Sequence, residues 1–210
     1  MISIADKFSE IEALQQKLDL KFFENIHKRD REWWVLGKAA RILSKSKHEE
    51  IKYASEYEPP LPDFQLHYNE VSHFLEVAES PLAGRKRHEE LKKRYSGELP
   101  AMWSLPTIKD PFVLFRSVIA KKLRKALIYP SDTWLLIYFS INRLQMPGNL
   151  GISWERLVFD EIESWRQRNL VSAFGSCRFR RILVLDSSGE RLISIFPAFE
   201  ILHELKGFSP

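Results

Sequence analysis

Pro62-Asp63-Phe64-Gln65-Leu66-His67-Tyr68-Asn69-Glu70-Val71-Ser72-His73-Phe74-Leu75-Glu76-Val77-Ala78-Glu79 is the stretch on which the reading of this chain turns. Apolar and polar residues alternate on both sides of Asn69-Glu70, which predicts a β-hairpin with a two-residue turn. If Tyr68 faces Val71, every cross-ladder pair sums to one index, and Asp63 falls opposite Glu76. The two carboxylates then lie on one face with Cβ atoms about 4.5–5.5 Å apart. Like charges that close repel each other. A divalent cation relieves the repulsion, because Mg²⁺ is held by one or two carboxylates together with substrate phosphates. On the second strand His73, Leu75 and Val77 share one face, while Phe74, Glu76 and Ala78 share the other. A glutamate between Phe74 and Ala78 is out of place on a merely solvated face. The spacing therefore points to metal-dependent phosphodiester chemistry.

The rest of the chain bounds that reading. Its 210 residues are 44% hydrophobic and 29% charged, as expected of one globular α/β domain with a real core. A net charge of +4 permits a nucleic-acid partner without requiring one. The single cysteine, Cys177, excludes an internal disulfide and a cysteine-based zinc site. The six histidines form no HxH or HxxxH pair, which disfavours a zinc enzyme. There is no phosphate loop, Rossmann glycine pattern or Gly-x-Ser-x-Gly elbow. No apolar run reaches the length of a membrane span, and Met1–Lys7 lacks a signal-peptide core. A cytoplasmic protein without membrane partners is expected.

Helical spacing of Ile11, Leu14, Leu18 and Phe22 predicts an N-terminal helix over 4–28. A second helix over 30–44 would be capped by Asp30, with Trp33, Leu36, Ala40 and Leu43 on its apolar stripe. A strand over 50–57 precedes the prolines at 59, 60 and 62 and the hairpin. A charged helix is expected over 84–95 and another over 111–128, with Pro111 at its first position. The apolar run Thr133–Ile141 reads as a strand buried on both faces. A helix over 153–169, strands over 179–185 and 192–196, and a closing helix over 198–206 complete a mixed-sheet α/β chain.

In this order of elements the chain resembles the PD-(D/E)XK, or restriction-endonuclease-like, nuclease superfamily. Pro62-Asp63 matches the first half of its motif. Glu76-Val77-Ala78 matches the acidic-x-Lys half except at the last position, where alanine replaces lysine. It is similar to small bacterial endonuclease-like proteins with a Trp-rich first helix, a Pro-Pro-Asp lead-in and a charged helix after the Glu strand. The resemblance covers residues 30–141, with 1–29 as a helical extension and 142–210 as a C-terminal helix, hairpin and closing helix. It implies a restriction-endonuclease-like core: a central mixed sheet flanked by helices. It further implies Mg²⁺ or Mn²⁺ at Asp63, Glu76 and the Val77 carbonyl, with Glu32 as an additional acid and DNA as partner.

With Ala78 in the lysine position, the family's known recourse is a lysine from the following helix. Phe112, Phe115, Ile119 and Leu123 define that helix's buried face, Lys122 lies at its edge, and Lys121 and Lys125 point away. Lys122 is thus the expected substitute. Arg85, Lys86, Arg87, Lys92 and Lys93 on the charged helix would track phosphates. Each feature has a plainer reading: Asp63 as a turn residue, Glu32 and Glu79 as solvated acids, Lys122 as a snorkelling boundary lysine, the charged helix as solvated ion pairs, and Trp33 and Trp34 as core. The competing function is a catalytically inactive nuclease-fold protein that binds nucleic acid or protein, with a homodimer surface supplied by its aromatics.

Overall fold

The computed structural model describes residues 1–17, 27–57, 62–68, 71–80, 112–139, 160–165, 179–186, 189–198 and 200–203. Strands β1 (Ile2–Ser3), β2 (Ile51–Glu56), β3 (Phe64–Tyr68), β4 (Val71–Ser80), β5 (Thr133–Phe139), β6 (Phe179–Leu185), β7 (Arg191–Phe196) and β8 (Glu200–His203) form one eight-stranded sheet in sequence order. Helices α1 (Ile4–Lys17), α2 (Lys28–Lys47) and α3 (Val113–Arg124) pack on it, with a 3₁₀ turn at Ala126–Ile128 and a helical stretch at 160–165. Among the described residues no helix is long and apolar enough to cross a membrane.

The sheet is antiparallel except at its centre, where β5 runs parallel to both β4 and β6. Parallel neighbours need crossovers, and α3 lies within the first of these. Side-chain alternation divides the core into two layers. Trp134, Leu136 and Tyr138 of β5 pack with α1 and α2, around Phe8, Ile11, Trp33, Leu36 and Leu43. Leu135, Ile137 and Phe139 pack on the opposite face, with Phe115 and Ile119 of α3 and with Ile162 and Trp165. All seven residues of β5 are buried, as its continuous apolar run predicts. Phe115 sits between Trp165, stacked at 5.6 Å, and Phe139 at 5.1 Å.

Helix α2 is buried around most of its circumference, from Arg31 through Leu43, because α1 and the sheet cover it from different sides. At the α1 crossing a Cβ on Gly37 would meet the Phe8 ring at 2.4 Å. A Gly37→Val variant should therefore lose about 1–3 kcal/mol by overpacking. Its urea midpoint should fall, and a Phe8→Ala partner substitution should recover part of the loss.

Three expected features differ. Asp30 is not the cap of α2; the cap is His27 and Asp30 lies inside the first turn, where its negative charge favours the helix dipole. The helix expected to start at Pro111 has Phe112 as its N-cap and gives way to the 3₁₀ turn after Arg124. The closing helix expected over 198–206 is instead strand β8 at Glu200–His203, antiparallel to β7. Leu202 joins the α1/α2 layer while Ile201 packs against the α3 layer, a period of two that only a strand provides. The two-residue strand β1 was not foreseen. The helix expected over 84–95 lies outside the described residues, as does most of the one over 153–169.

Candidate active site

The hairpin has the expected register. Tyr68 pairs with Val71, and Phe64 pairs with Leu75. Extending that ladder by one residue brings Asp63 opposite Glu76, although Asp63 itself stands just before β3. Its side chain is anchored there: the Val77 N–H donates to Asp63 Oδ2 at 2.8 Å. Its carbonyl accepts from the Tyr57 N–H at 3.0 Å and from Arg29 Nη1 at 3.4 Å. Asp63 is thus held by the end of β2, the start of α2 and the middle of β4 together.

Glu76 points to the α3 side of the sheet, on the face it shares with Ala78. Its side chain is 10% exposed and ion-pairs with the Lys122 ammonium, itself 21% exposed. Tyr129, buried just after the 3₁₀ turn, stands close enough to Glu76 for each to act on the other's charge. Burial and the neighbouring Asp63 charge push the Glu76 carboxyl above its ordinary value, against the lowering pull of Lys122 and Tyr129. Burial and the Glu76 charge push the Tyr129 phenol well up, so it stays a donor at neutral pH.

Glu32 approaches from the other layer, in the first turns of α2. Its side chain is only 3% exposed. Lys28 Nζ lies 2.9 Å from Oε1, and Arg29 Nη1 lies 3.2 Å from Oε2. Burial and then the Asp63 charge raise the Glu32 carboxyl, so the two acids are near enough to interact. Arg29 links the acids: besides Glu32 it lies 3.6 Å from Glu56 and 3.9 Å from Asp63 Oδ1. It also covers the Phe64 ring at 5.5 Å.

The structure therefore sets Asp63 between two acids, Glu32 in the α2 layer and Glu76 with Lys122 in the α3 layer. Val77 contributes its N–H to the same region. Glu79 is turned the other way, accepting from the Tyr138 hydroxyl at 3.1 Å with Arg31 at 3.7 Å. Trp33 and Trp34 are core residues, at 1% and 7% exposure. Arg85, Lys86, Arg87, Lys92 and Lys93 lie outside the described residues. Sequence reasoning did not find Arg29, Glu56 or Tyr129. Arg29 had one local signal, its position one helical turn before Glu32. Tyr129 and Glu56 had none, since only the fold brings them to the acids.

Among the described residues no group of three or more His, Cys, Asp or Glu side chains could hold a metal ion. The Asp63–Glu76 pair is nonetheless an oxygen-only donor set, which suits a hard cation that takes its other ligands from water and phosphate. Two acids facing each other, one with a raised pKa, also form a pair that a cation would stabilise. No protein-family model matches the chain, and neither a curated protein nor a solved structure matches it.

Proposed function

We propose that the chain is a metal-dependent nuclease of PD-(D/E)XK type that hydrolyses phosphodiester bonds in DNA. The observation that carries this reading is the Lys122 ammonium on Glu76, on the face of β4 where the motif lysine is replaced by Ala78. The element order adds support: α2, three antiparallel strands, α3, then a strand parallel to the third. The +4 charge suits an anionic substrate, and the single cysteine suits a cytoplasmic protein.

In this reading Asp63, Glu76 and the Val77 carbonyl hold Mg²⁺ or Mn²⁺. Bound there, the cation supplies a Lewis acid for a phosphate oxygen and for an attacking water. The chain's own groups do the positioning. Val77 N–H and Arg29 fix Asp63, while Lys122 fixes Glu76. Lys122 pulls the Glu76 carboxyl down against its burial and sets a positive charge where negative charge develops on phosphorus-bound oxygen. Glu32, whose carboxyl is raised by burial and by the Asp63 charge, would orient outer-shell water.

The inactive binding module remains the second reading, favoured by Ala78 and by the basic partners that Glu32 and Glu76 already have. One comparison separates the two. Mg²⁺ or Mn²⁺ at about 100 times its Kd should raise the melting temperature by roughly 5–10 °C, and supercoiled plasmid should be nicked. Asp63→Ala should remove both effects. No shift and no nicking in the wild type would leave the binding module as the function.

A further inference from the structure

The end of α3 carries a feature that the site does not use. Residues 112–131 contain Arg116, Lys121, Lys122, Arg124 and Lys125 and no Asp or Glu. Arg116 is committed to Glu161 at 2.7 Å, and Lys122 to Glu76. Lys121, Arg124 and Lys125 are exposed, and none has a carboxylate partner among the described residues. The next acid, Asp132, is turned to Arg180 at 3.2 Å. Immediately after these cations, Leu127 and Ile128 stand 74% and 60% exposed.

This apolar pair is rigidly presented. It occupies the 3₁₀ turn between Ala126 and Tyr129, both buried. Ile128 N–H donates to Lys125 O at 3.1 Å and Tyr129 N–H to Ala126 O at 3.2 Å. Tyr129 in turn lies near enough to Glu76 for its phenol to feel that charge. Two apolar side chains, flanked by exposed cations without a carboxylate partner among the described residues, thus adjoin a residue close to the proposed catalytic acid.

We propose that Leu127 and Ile128 form a wedge that enters between base steps of duplex DNA, with Lys121, Arg124 and Lys125 on the flanking phosphates. This inference rests on the reading of the Glu76 region as a site acting on DNA. Apolar wedges partly unstack a step and kink the duplex, and phosphate contacts hold them in register. Beside a cleavage site, such a kink would expose the scissile phosphate to Lys122 and Glu76. An anionic membrane would also attract a basic, apolar turn, but it would not account for the turn's place beside Glu76.

The test uses the full chain in EDTA, with a short duplex carrying 2-aminopurine. Binding should raise the probe's fluorescence as its base unstacks. Leu127→Ala/Ile128→Ala should abolish that rise and weaken binding roughly tenfold, about 1.4 kcal/mol, with the salt slope unchanged. Lys121→Ala/Arg124→Ala/Lys125→Ala should lower the slope of log K against log salt by roughly 2–3. All substituted positions are exposed, so thermal melts should match the wild type. Unchanged fluorescence and affinity in the double variant would overturn the wedge. So would a wild type that binds phosphatidylserine vesicles but not duplex, or a patch whose substitution only dissolves a dimer. Asp63→Ala should keep the fluorescence rise. A wild type that unstacks the probe yet never cleaves with Mg²⁺ would refute the nuclease reading while leaving the wedge intact.

Discussion

Lys122→Met should cost the protein about 3 kcal/mol at pH 8 and almost nothing near pH 4. Removing one partner of a buried ion pair leaves an uncompensated charge, which costs roughly 3–5 kcal/mol; the partial exposure of Lys122 sets the lower end. The charge left behind is Glu76, already raised by burial and by Asp63. A carboxyl whose folded pKa lies above its unfolded value binds more protons in the native state. Native stability from that group is therefore present below the unfolded value of 4.5 and is lost as pH rises through the folded value. Without Lys122, which lowers the Glu76 pKa, that loss grows. The difference between variant and wild type should open from about pH 4.5 upward, as urea titrations at several pH values would show. Adding Glu76→Gln removes the stranded charge and should recover most of the stability. Cleavage separates the two roles of Lys122. Loss of a charge that stabilises the transition state costs about 10²–10³ in rate, so Lys122→Met should lose cleavage by that factor even at a pH and temperature where it is fully folded. A Lys122→Met protein with unchanged stability at pH 8 would show that the pair is solvated, and one with unchanged cleavage that Lys122 does not stand in for the motif lysine.

How much of this was legible follows from how local each signal is. The hairpin register could be read because a period-two pattern meets a two-residue turn, and a slip of one would turn Leu75 and Val77 to the wrong layer. Strand β5 could be read because seven consecutive buried residues leave no polar face. Lys122 could be placed because Phe115 and Ile119 fix the helix phase. Strand β8 could not, because Glu200–His203 is too short to show its period against flanking residues, and its pairing with β7 decides its form. The same limit hid Arg29 and Tyr129: the first is a helix residue among other basic residues, the second follows a turn. Each acquires meaning only when the sheet brings Asp63 and Glu76 beneath it.

Trp33→Ala tests whether the two layers cooperate at the site. Trp33 is fully enclosed and meets Phe64 edge-on at 4.9 Å, and its indole N–H donates to Glu56 Oε1 at 2.6 Å. Phe64 directly follows Asp63, and Arg29 covers the same Phe64 ring. The indole thus packs α2 onto the strand that begins at Phe64, directly after Asp63. Truncation should cost about 3–5 kcal/mol through lost burial and the cavity left behind. For a chain of this size that is a fall of roughly 10 °C in melting temperature. Trp33→Phe keeps much of the ring and loses the bond to Glu56, so its cost should be clearly smaller. The functional consequence is more discriminating than the stability. Glu32 and Arg29 reach Asp63 from the turn of α2 that this indole helps to seat. If Glu32 belongs to the site, Trp33→Ala should reduce cleavage, measured well below its melting temperature, much as Glu32→Gln does, and combining the two should add little further loss. Independent, multiplying losses would place Glu32 outside the working site and leave Asp63, Glu76 and Lys122 as its whole machinery.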